Sequence, residues 1–326
     1  MHSVNAYFFL YLGAIVLCGG AWALLRLALP LHDAATLARR LAESQQQTLL
    51  QDLTGALAGD DVFLAYQPKL RLRTDAIDGV EALVRWKHPE FGTIARDVLI
   101  PLAERHGRIR ELTIWVLRRA LVDQKRLAAA GKVISIHINV SAGLLTNADF
   151  VREVCAMTDA GHSGIGFEIT ETVFIENSGL ALANLKRLTD HGIAISIDDY
   201  GSGMSSLAYL KELPAQELKI DKMFISGMTT SNRDPLIVRS TIDLAHALDL
   251  QVVAEGVESP AALALLRVMG CDFAQGFLIS PALTIDALET FLRDYVPTLT
   301  SATPTLNPPL AFWRRTMREP VTAATG

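Results

Sequence analysis

Short apolar runs that end in a carboxylate or an amide recur along this chain, and helical stretches separate them. Five of the runs end at Asn139, Glu168, Asp198-Asp199, Asp221 and Glu255, and a sixth acid, Glu81, lies in an earlier run. Strands that alternate with helices in a barrel gather their carboxyl ends on one face. A single strand-end acid is usually a helix cap or a turn residue. The repetition is therefore what predicts one shared site.

The same alternation predicts the fold class. Eight strands are expected, at Val62–Gln67, Ile77–Arg85, Val133–Val140, Ile165–Ile169, Ile193–Asp198, Glu217–Ile220, Gln251–Ala254 and Phe273–Phe277. The intervening helices include Leu112–Ala130, Leu180–His191, Pro235–Leu248 and Pro260–Met269. This pattern favours an α/β fold, a TIM (β/α)8 barrel rather than an open sheet. The link Arg73-Thr74-Asp75 is too short for a parallel crossover, so it favours a hairpin with one antiparallel strand.

The helix ends carry signals of their own. Gly131, Gly192 and Gly270 follow helical stretches, at positions where a left-handed residue is favoured. Asp234 and Ser259 each precede a proline, as N-cap residues do when Pro takes the first helical position. These signals predict where the helices end and begin.

The N-terminal segment differs from the rest of the chain. Residues 6–25 contain no charged side chain. An apolar run of this length is long enough to cross a bilayer core as a helix. Two alternative interpretations are weaker. A cleaved signal peptide would need basic residues at its N-terminus, and a buried helix of a soluble protein is rarely apolar all round. The first cations, Arg26, Arg39 and Arg40, follow the span, and this predicts a cytoplasmic C-terminal part.

These observations predict four regions. They are a transmembrane anchor over residues 1–30, with membrane contact over 6–29, a linker helix over 31–59, a barrel over 60–296 and a Pro/Thr-rich, disordered tail over 297–326. The linker places Leu37, Leu41, Leu49, Leu53 and Leu57 largely on one face. Either this face packs on the barrel, or it pairs with a second copy of the chain in a dimer.

Composition disfavours one class of partner. The 326 residues include 35 acidic and 30 basic side chains, for a net charge of −5. This balance argues against binding to a nucleic-acid polymer, which favours a basic surface. Cys18, Cys155 and Cys271 lie far apart and lack the spacing of metal ligands.

The acids themselves indicate metal chemistry. Carboxylates crowded into one barrel mouth raise one another's pKa steeply unless cations neutralise them. Hard oxygen ligands suit Mg²⁺, Mn²⁺ or Ca²⁺, and two ions about 4 Å apart can clamp a phosphodiester. Lys219 lies two residues before Asp221 and could orient a water molecule or offset phosphate charge. Arg85 is a natural bidentate partner for a phosphate, or else half of a structural ion pair.

The motifs that hold these residues resemble one known family. Glu81-Ala82-Leu83-Val84-Arg85-Trp86 is similar to the signature of the EAL-domain family of cyclic di-GMP phosphodiesterases. Further motifs follow in the family's order, namely Tyr66-Gln67-Pro68, Asn139-Val140-Ser141, Glu168-Ile169-Thr170-Glu171, Asp198–Gly203, Leu218–Asp221, Glu255–Glu258 and Gln275-Gly276-Phe277. The resemblance covers residues 60–295. It implies a modified barrel with an antiparallel first strand, and hydrolysis of cyclic di-GMP to linear pGpG with Mg²⁺ or Mn²⁺, inhibited by Ca²⁺.

The resemblance also implies roles for single residues. It implies a metal shell of Glu81, Asn139, Glu168, Asp198, Asp199, Asp221 and Glu255, with two ions bound. Catalytic roles fall to Lys219, which would position the water, to Glu255, and to Glu171, which would hold the loop over 199–207. The implied substrate-pocket residues are Gln67, Leu83, Arg85 and Gln275. Tyr200 and Met204 depart from the family pattern, where Phe and Tyr are common.

The resemblance further implies a homodimer at the cytoplasmic face of a bacterial inner membrane, anchored by a single span. The alternative from another class is a receptor that binds cyclic di-GMP without cleaving it. Such members usually lose a metal ligand, the lysine or the loop glutamate, and none is lost here. A metalloenzyme for another phosphodiester is a third hypothesis, and the specificity of the motifs disfavours it.

Overall fold

A computed structural model describes residues 45–158, 164–170, 178–201 and 210–297. The predicted span, residues 31–44 of the linker, Glu171, Met204 and residues 298–326 of the tail lie outside these ranges. Among the described residues, no helix is both long and apolar enough to cross a membrane.

The described chain forms a closed barrel. Its strands are β1 (Val62–Arg71), β2 (Ala76–His88), β3 (Gly92–Ile94), β4 (Ser135–Asn139), β5 (Ile165–Thr170), β6 (Ala194–Tyr200), β7 (Glu217–Ile220), β8 (Gln251–Ala254) and β9 (Phe273–Ala274). The sheet order is β1-β9-β8-β7-β6-β5-β4-β2-β3, and pairing of β1 with β2 closes it. Eight strands form the barrel, and β3 extends β2 outside it. This confirms the predicted modified TIM barrel.

The first strand runs against its neighbours. β1 pairs antiparallel with both β2 and β9, whereas the pairs from β4 to β9 are parallel. The turn between β1 and β2 places Asp75 in the left-handed region, with φ 55°, which Asp tolerates better than most residues. The predicted hairpin and the antiparallel strand are therefore confirmed.

Helices surround the barrel. They are α1 (residues 45–58), α2 (Arg96–Arg105), α3 (Ile109–Ala129), α4 (Ala142–Leu145), α5 (Ala148–Met157), α6 (Ser178–Asp190), α7 (Lys222–Gly227), α8 (Asp234–Ala247), α9 (Pro260–Met269) and α10 (Ile285–Asp294). Gly131, Gly192 and Gly270 have φ of 74°, 98° and 78°, as predicted for residues that follow helices.

Several local predictions need correction. β1 and β2 run on to Arg71 and His88, beyond the predicted ends at Gln67 and Arg85. Ser259 caps α9 as expected, but Asp234 is the first residue of α8 rather than its cap. The hydroxyl of Ser231 accepts hydrogen bonds from the backbone N–H groups of Arg233 and Asp234 instead. β9 ends at Ala274 rather than Phe277. Beyond it, the backbone at Gly276 lies so close to Val257 that a Cβ there would clash.

The linker helix packs on the barrel where the structure describes it. Leu49 and Leu53 of α1 are 1% and 0% exposed, and they share one core cluster with residues of β1, β2, α2 and α3. His88 Nε2 lies 3.1 Å from Asp52 Oδ2. Over residues 45–58 the structure therefore supports packing on the barrel, the first of the two linker interpretations.

Candidate active site

The barrel interior is polar at its carboxyl end. Alternation along β4 turns Ile136 and Ile138 outward, where both are fully buried under helices. His137 therefore faces inward, and so does Asn139. The same period turns Lys219 of β7 inward, where it is 1% exposed. The sequence thus places ionisable groups on the inner face of several strands at similar heights.

The Lys219 ammonium is the common partner of four carboxylates. Its Nζ lies 2.6 Å from Glu255 Oε1, 2.7 Å from Glu168 Oε2, 2.9 Å from Asp198 Oδ1 and 3.7 Å from Glu81 Oε2. Burial alone would lower the pKa of Lys219, but these anions hold that pKa well above its ordinary value. The side chain is therefore a fixed positive charge beneath the mouth.

Glu81 is held by neutral donors. Asn139 Nδ2 donates to its Oε1 at 2.8 Å, and Gln275 Nε2 donates to its Oε2 at 2.6 Å. Burial would raise the pKa of Glu81, but Lys219 and these two hydrogen bonds lower it to about 2. Glu81 is therefore a fixed anion. Gln275 also donates to Gln67 Oε1 at 3.1 Å, so this residue after β9 links the middle of β1 to the middle of β2.

A break in strand β6 turns both of its acids toward the mouth. The register with β7 shifts between Ile197 and Tyr200, and Asp199 adopts φ 55°. The backbone N–H of Asp199 donates to Asp198 Oδ1 at 3.1 Å. Strained backbone of this kind clusters at functional sites. It explains how two adjacent residues of one strand can serve the same site.

Three of the acids form a group that fits a hard divalent cation. Oxygen atoms of Asp198, Asp199 and Glu255 all lie within 4.8 Å of one another. Burial, with Asp198 and Glu81 nearby, raises the pKa of Glu255 to about 7 despite its contact with Lys219. Burial and the Asp198 and Asp221 charges also raise the pKa of Asp199. Anions that repel one another in this way, with oxygen donors only, suit Mg²⁺ or Mn²⁺.

Two cavities open at this group. One, of about 480 Å³, is lined by all four predicted substrate residues, Gln67, Leu83, Arg85 and Gln275, together with Phe277. The other, of about 430 Å³, is mostly apolar and lies between α2, α3 and strands β2 and β4. Asp198 and Asp199 line both cavities. A ligand in either cavity would therefore reach the acidic group.

Comparison with known proteins assigns the chain to a family. The sequence model of the EAL domain family matches residues 50–282. The chain belongs to the EAL domain family. It is 42% identical over 256 residues to the cyclic di-GMP phosphodiesterase NbdA of Pseudomonas aeruginosa, a match that covers 77% of this chain and 33% of NbdA.

A second relative is known in sequence and in structure. The bifunctional diguanylate cyclase/cyclic di-GMP phosphodiesterase MucR of the same organism is 38% identical over 252 residues, covering 76% of this chain and 37% of MucR. The solved complex of the PaMucR phosphodiesterase with c-di-GMP has a TM-score of 0.68 at 39% identity, and the match covers 74% of this chain and 99% of that one. The chain thus spans about a third of the length of these curated relatives.

Not every predicted ligand of the EAL site lies in the three-acid group. Glu168 binds Lys219, and Asn139 donates to Glu81. Asp221 Oδ1 accepts the backbone N–H of Met223 at 2.6 Å and caps α7, which leaves its second oxygen for another ligand. Glu171 lies outside the described residues. The assignment of seven metal ligands therefore remains a prediction.

Sequence reasoning missed a second ionic layer below Lys219. Lys69 Nζ lies 2.8 Å from Glu217 Oε2, and His137 Nδ1 lies 3.7 Å from Glu168 Oε1. Burial and the Lys69 charge lower the pKa of His137 to about 3, so the ring is neutral. The signal was present, because His137 and Glu217 lie two residues before Asn139 and Lys219 on their strands.

Arg96 was also missed. It begins α2, and its Nη1 lies 3.6 Å from Glu81 Oε1. Its position follows β3 rather than a barrel strand, so the strand-end pattern contained no signal for it. Arg96 lines both cavities of the EAL site.

Proposed function

We propose that this chain is a cyclic di-GMP phosphodiesterase that hydrolyses its substrate to linear pGpG with two divalent cations. One observation carries the proposal. The group Asp198–Asp199–Glu255 adjoins a cavity lined by Gln67, Leu83, Arg85 and Gln275, and Lys219 lies beneath it. The relatives named cyclic di-GMP phosphodiesterases support the choice of substrate.

The chemistry divides between the ions and the protein. Hydrolysis adds water across one P–O bond, so that one phosphodiester becomes a phosphate monoester and a free hydroxyl. The bound cations would supply positive charge and Lewis acidity at the cleaved phosphate. Asp198, Asp199 and Glu255 would hold them, with Glu81, Glu168, Asn139 and Asp221 as further predicted ligands.

Side chains of the protein hold the acids in place and bind the substrate. The Lys219 ammonium fixes the positions of Glu168, Asp198 and Glu255, and it places a permanent positive charge below the reacting phosphate. Arg85 provides a guanidinium in the substrate cavity, where it can bind phosphate or a base edge. Phe277 is 67% exposed there and offers an apolar ring to a nucleobase.

A direct assay tests this proposal. Protein incubated with cyclic di-GMP and Mg²⁺ or Mn²⁺ should yield pGpG, detected by chromatography, and EDTA should stop the reaction. Glu81→Ala should abolish turnover with the fold retained, whereas Glu212→Ala, at an exposed acid, should change nothing. Binding of cyclic di-GMP by the wild-type protein without any linear product would reject the enzyme and favour the receptor.

We further propose that residues 6–29 anchor the chain in a bacterial cytoplasmic membrane, with the barrel in the cytoplasm as a homodimer. The uncharged run and the arginines that follow it support this topology. Deletion of residues 1–30 should release the protein from membranes. If the deleted form still sediments with membranes, the anchor lies elsewhere.

A further inference from the structure

The guanidinium of Arg96 lies at the mouth and makes only a long ion pair with Glu81, the acid beside it. Both oxygens of Glu81 already accept short hydrogen bonds, from Asn139 and from Gln275. The distance of 3.6 Å from Arg96 Nη1 to Glu81 Oε1 exceeds that of a hydrogen bond. The Arg96 side chain is 44% exposed. A guanidinium has five N–H donors, so this one can bind a further anion.

The position of Arg96 is fixed. Leu99 and Leu102 of α2 are 1% and 0% exposed, and they hold the helix against the core. The side chain leaves the first residue of this helix and lines both cavities. An anion bound by Arg96 would therefore lie within the site and not on the outer surface.

A second guanidinium lies nearby. Arg85 is half-buried, and its pKa is lowered first by burial and next by the positive charge of Arg96. Two cations that repel each other at the mouth of a cavity favour an anionic ligand between or beside them. The three-acid group belongs to β6 and the end of β8, whereas Arg96 follows the β2–β3 hairpin. Arg96 lines the same two cavities as Asp198 and Asp199, so a phosphate on Arg96 and a phosphate at the three-acid group would share one site.

A cyclic dinucleotide carries two phosphodiesters, and only one can be cleaved at the metal group. We propose that Arg96 binds the phosphate that is not cleaved, and so sets the affinity for a substrate with two phosphates. The inference rests on the proposed function. Arg binds phosphate through two parallel N–H donors, which Lys cannot reproduce in full.

The competing explanation is that Arg96 supports Glu81 and the metal group. The two explanations differ for a substrate with one phosphate. Bis(4-nitrophenyl) phosphate can occupy the metal group but has no second phosphodiester. If Arg96 binds the second phosphate, its loss lowers kcat/KM for cyclic di-GMP much more than kcat/KM for this compound.

The experiment compares Arg96→Ala, Arg96→Lys and Arg105→Ala in the full chain. Arg105 ends the same helix, is exposed and serves as the matched control. Kinetics with Mn²⁺ are measured for cyclic di-GMP and for bis(4-nitrophenyl) phosphate. The Kd of cyclic di-GMP is measured by calorimetry with Ca²⁺, which the family resemblance implies is inhibitory.

Arg96→Ala should raise the KM and Kd for cyclic di-GMP about tenfold or more, as for loss of a charged hydrogen bond, with kcat changed less than KM. Arg96→Lys should recover part of the affinity, and in both variants kcat/KM for the one-phosphate compound should fall much less than kcat/KM for cyclic di-GMP. An equal loss with both substrates would overturn the inference in favour of a support for Glu81, and no loss with either would overturn it outright.

Failure of the proposed function can be told apart from failure of this inference. If wild-type protein binds cyclic di-GMP but does not cleave it, the proposed hydrolysis fails, and the ratio of Kd values still decides the role of Arg96. If wild-type protein cleaves bis(4-nitrophenyl) phosphate but neither binds nor cleaves cyclic di-GMP, both proposals are wrong.

Discussion

At the scale of single residues, the site depends on one ammonium group among many acids. Lys219 contacts Glu168, Asp198 and Glu255 within 2.9 Å, and all four groups lie inside a closed barrel. A buried ion that loses its partner is left as an uncompensated charge. The free-energy cost of that charge is much larger than the net stabilisation by the intact ion pair. The lysine therefore serves the architecture of the site as well as its chemistry.

Replacement of Lys219 by Ala should lower kcat strongly, by about 100-fold or more if it stabilises the transition state as an electrostatic donor does. Its effect on KM should be smaller. The unfolding free energy of the metal-free protein should fall by about 3–5 kcal/mol, since buried carboxylates lose their counter-ion. Kinetics and urea unfolding measure the two effects.

Lys69 provides the matched control. It is another buried lysine of the barrel, paired with Glu217 one layer below the site. Lys69→Ala should be destabilised to a similar degree but should keep far more of its turnover per folded molecule. Equal catalytic losses in the two variants would reject a specific role for Lys219.

Glu255 should make the metal-free protein less stable as the pH rises. Its folded pKa is about 7, above the ordinary value of 4.5, so the folded state holds an extra proton between these values. By linkage the unfolding free energy falls as the pH rises through this window. We expect a loss of about 1–3 kcal/mol between pH 4.5 and 7 from this group.

Urea unfolding in EDTA at pH 5 and pH 8 measures this effect. The wild-type protein should lose more stability between the two pH values than Glu255→Gln, in which the titrating group is absent. Groups that do not contact Glu255 titrate alike in both proteins. The same pH dependence in the two proteins would contradict the raised pKa.

At the scale of elements, the sequence predicted the strands well and the contacts across the barrel poorly. β7 and β8 have the predicted bounds, because apolar runs and period-two alternation are local signals. Alternation along β7 marks Glu217 as inward-facing, but its partner Lys69 is far away in the chain, and no local pattern encodes the pairing itself. Asp221 shows the limit of local reasoning, since it lies at a predicted site and also caps a helix.

The closest packing between β4 and β5 gives a prediction at this scale. A Cβ on Gly166 would lie 2.7 Å from the ring of His137, which is itself buried. Gly166→Ala should therefore cost about 1–3 kcal/mol of stability through overpacking. In a His137→Ala background the same change should cost much less, because the space opposite is then open.

Chemical unfolding of the four proteins in this cycle measures the coupling. Gly143→Ala is the control, since a Cβ there meets nothing within 4 Å. A cost for Gly166→Ala that does not depend on His137 would show that the clash lies elsewhere.

At the scale of the whole molecule, the family domain and the described fold begin in the same helix. The match to the EAL family starts at residue 50, inside α1, which covers residues 45–58. Leu49, Leu53 and Leu57 of this helix are buried in the barrel's core cluster. A helix whose apolar face is used in this way is part of the domain, although the sequence alone left open whether that face would pair with a second copy.

Two truncations should therefore behave differently. Removal of residues 1–44 should leave a folded barrel with one cooperative unfolding transition, because the described contacts are retained. Removal of residues 1–59 deletes α1 and exposes its site on the core. Each buried leucine contributes roughly 1.5–3 kcal/mol, so the shorter form should unfold at much lower urea concentration or aggregate.

In the full chain, Leu53→Ala should lower the unfolding free energy by about 2–5 kcal/mol. Leu50→Ala, on the half-buried side of the same helix, should lower it less. Equal stability of the two truncated forms would show that α1 is dispensable and that the domain begins at β1.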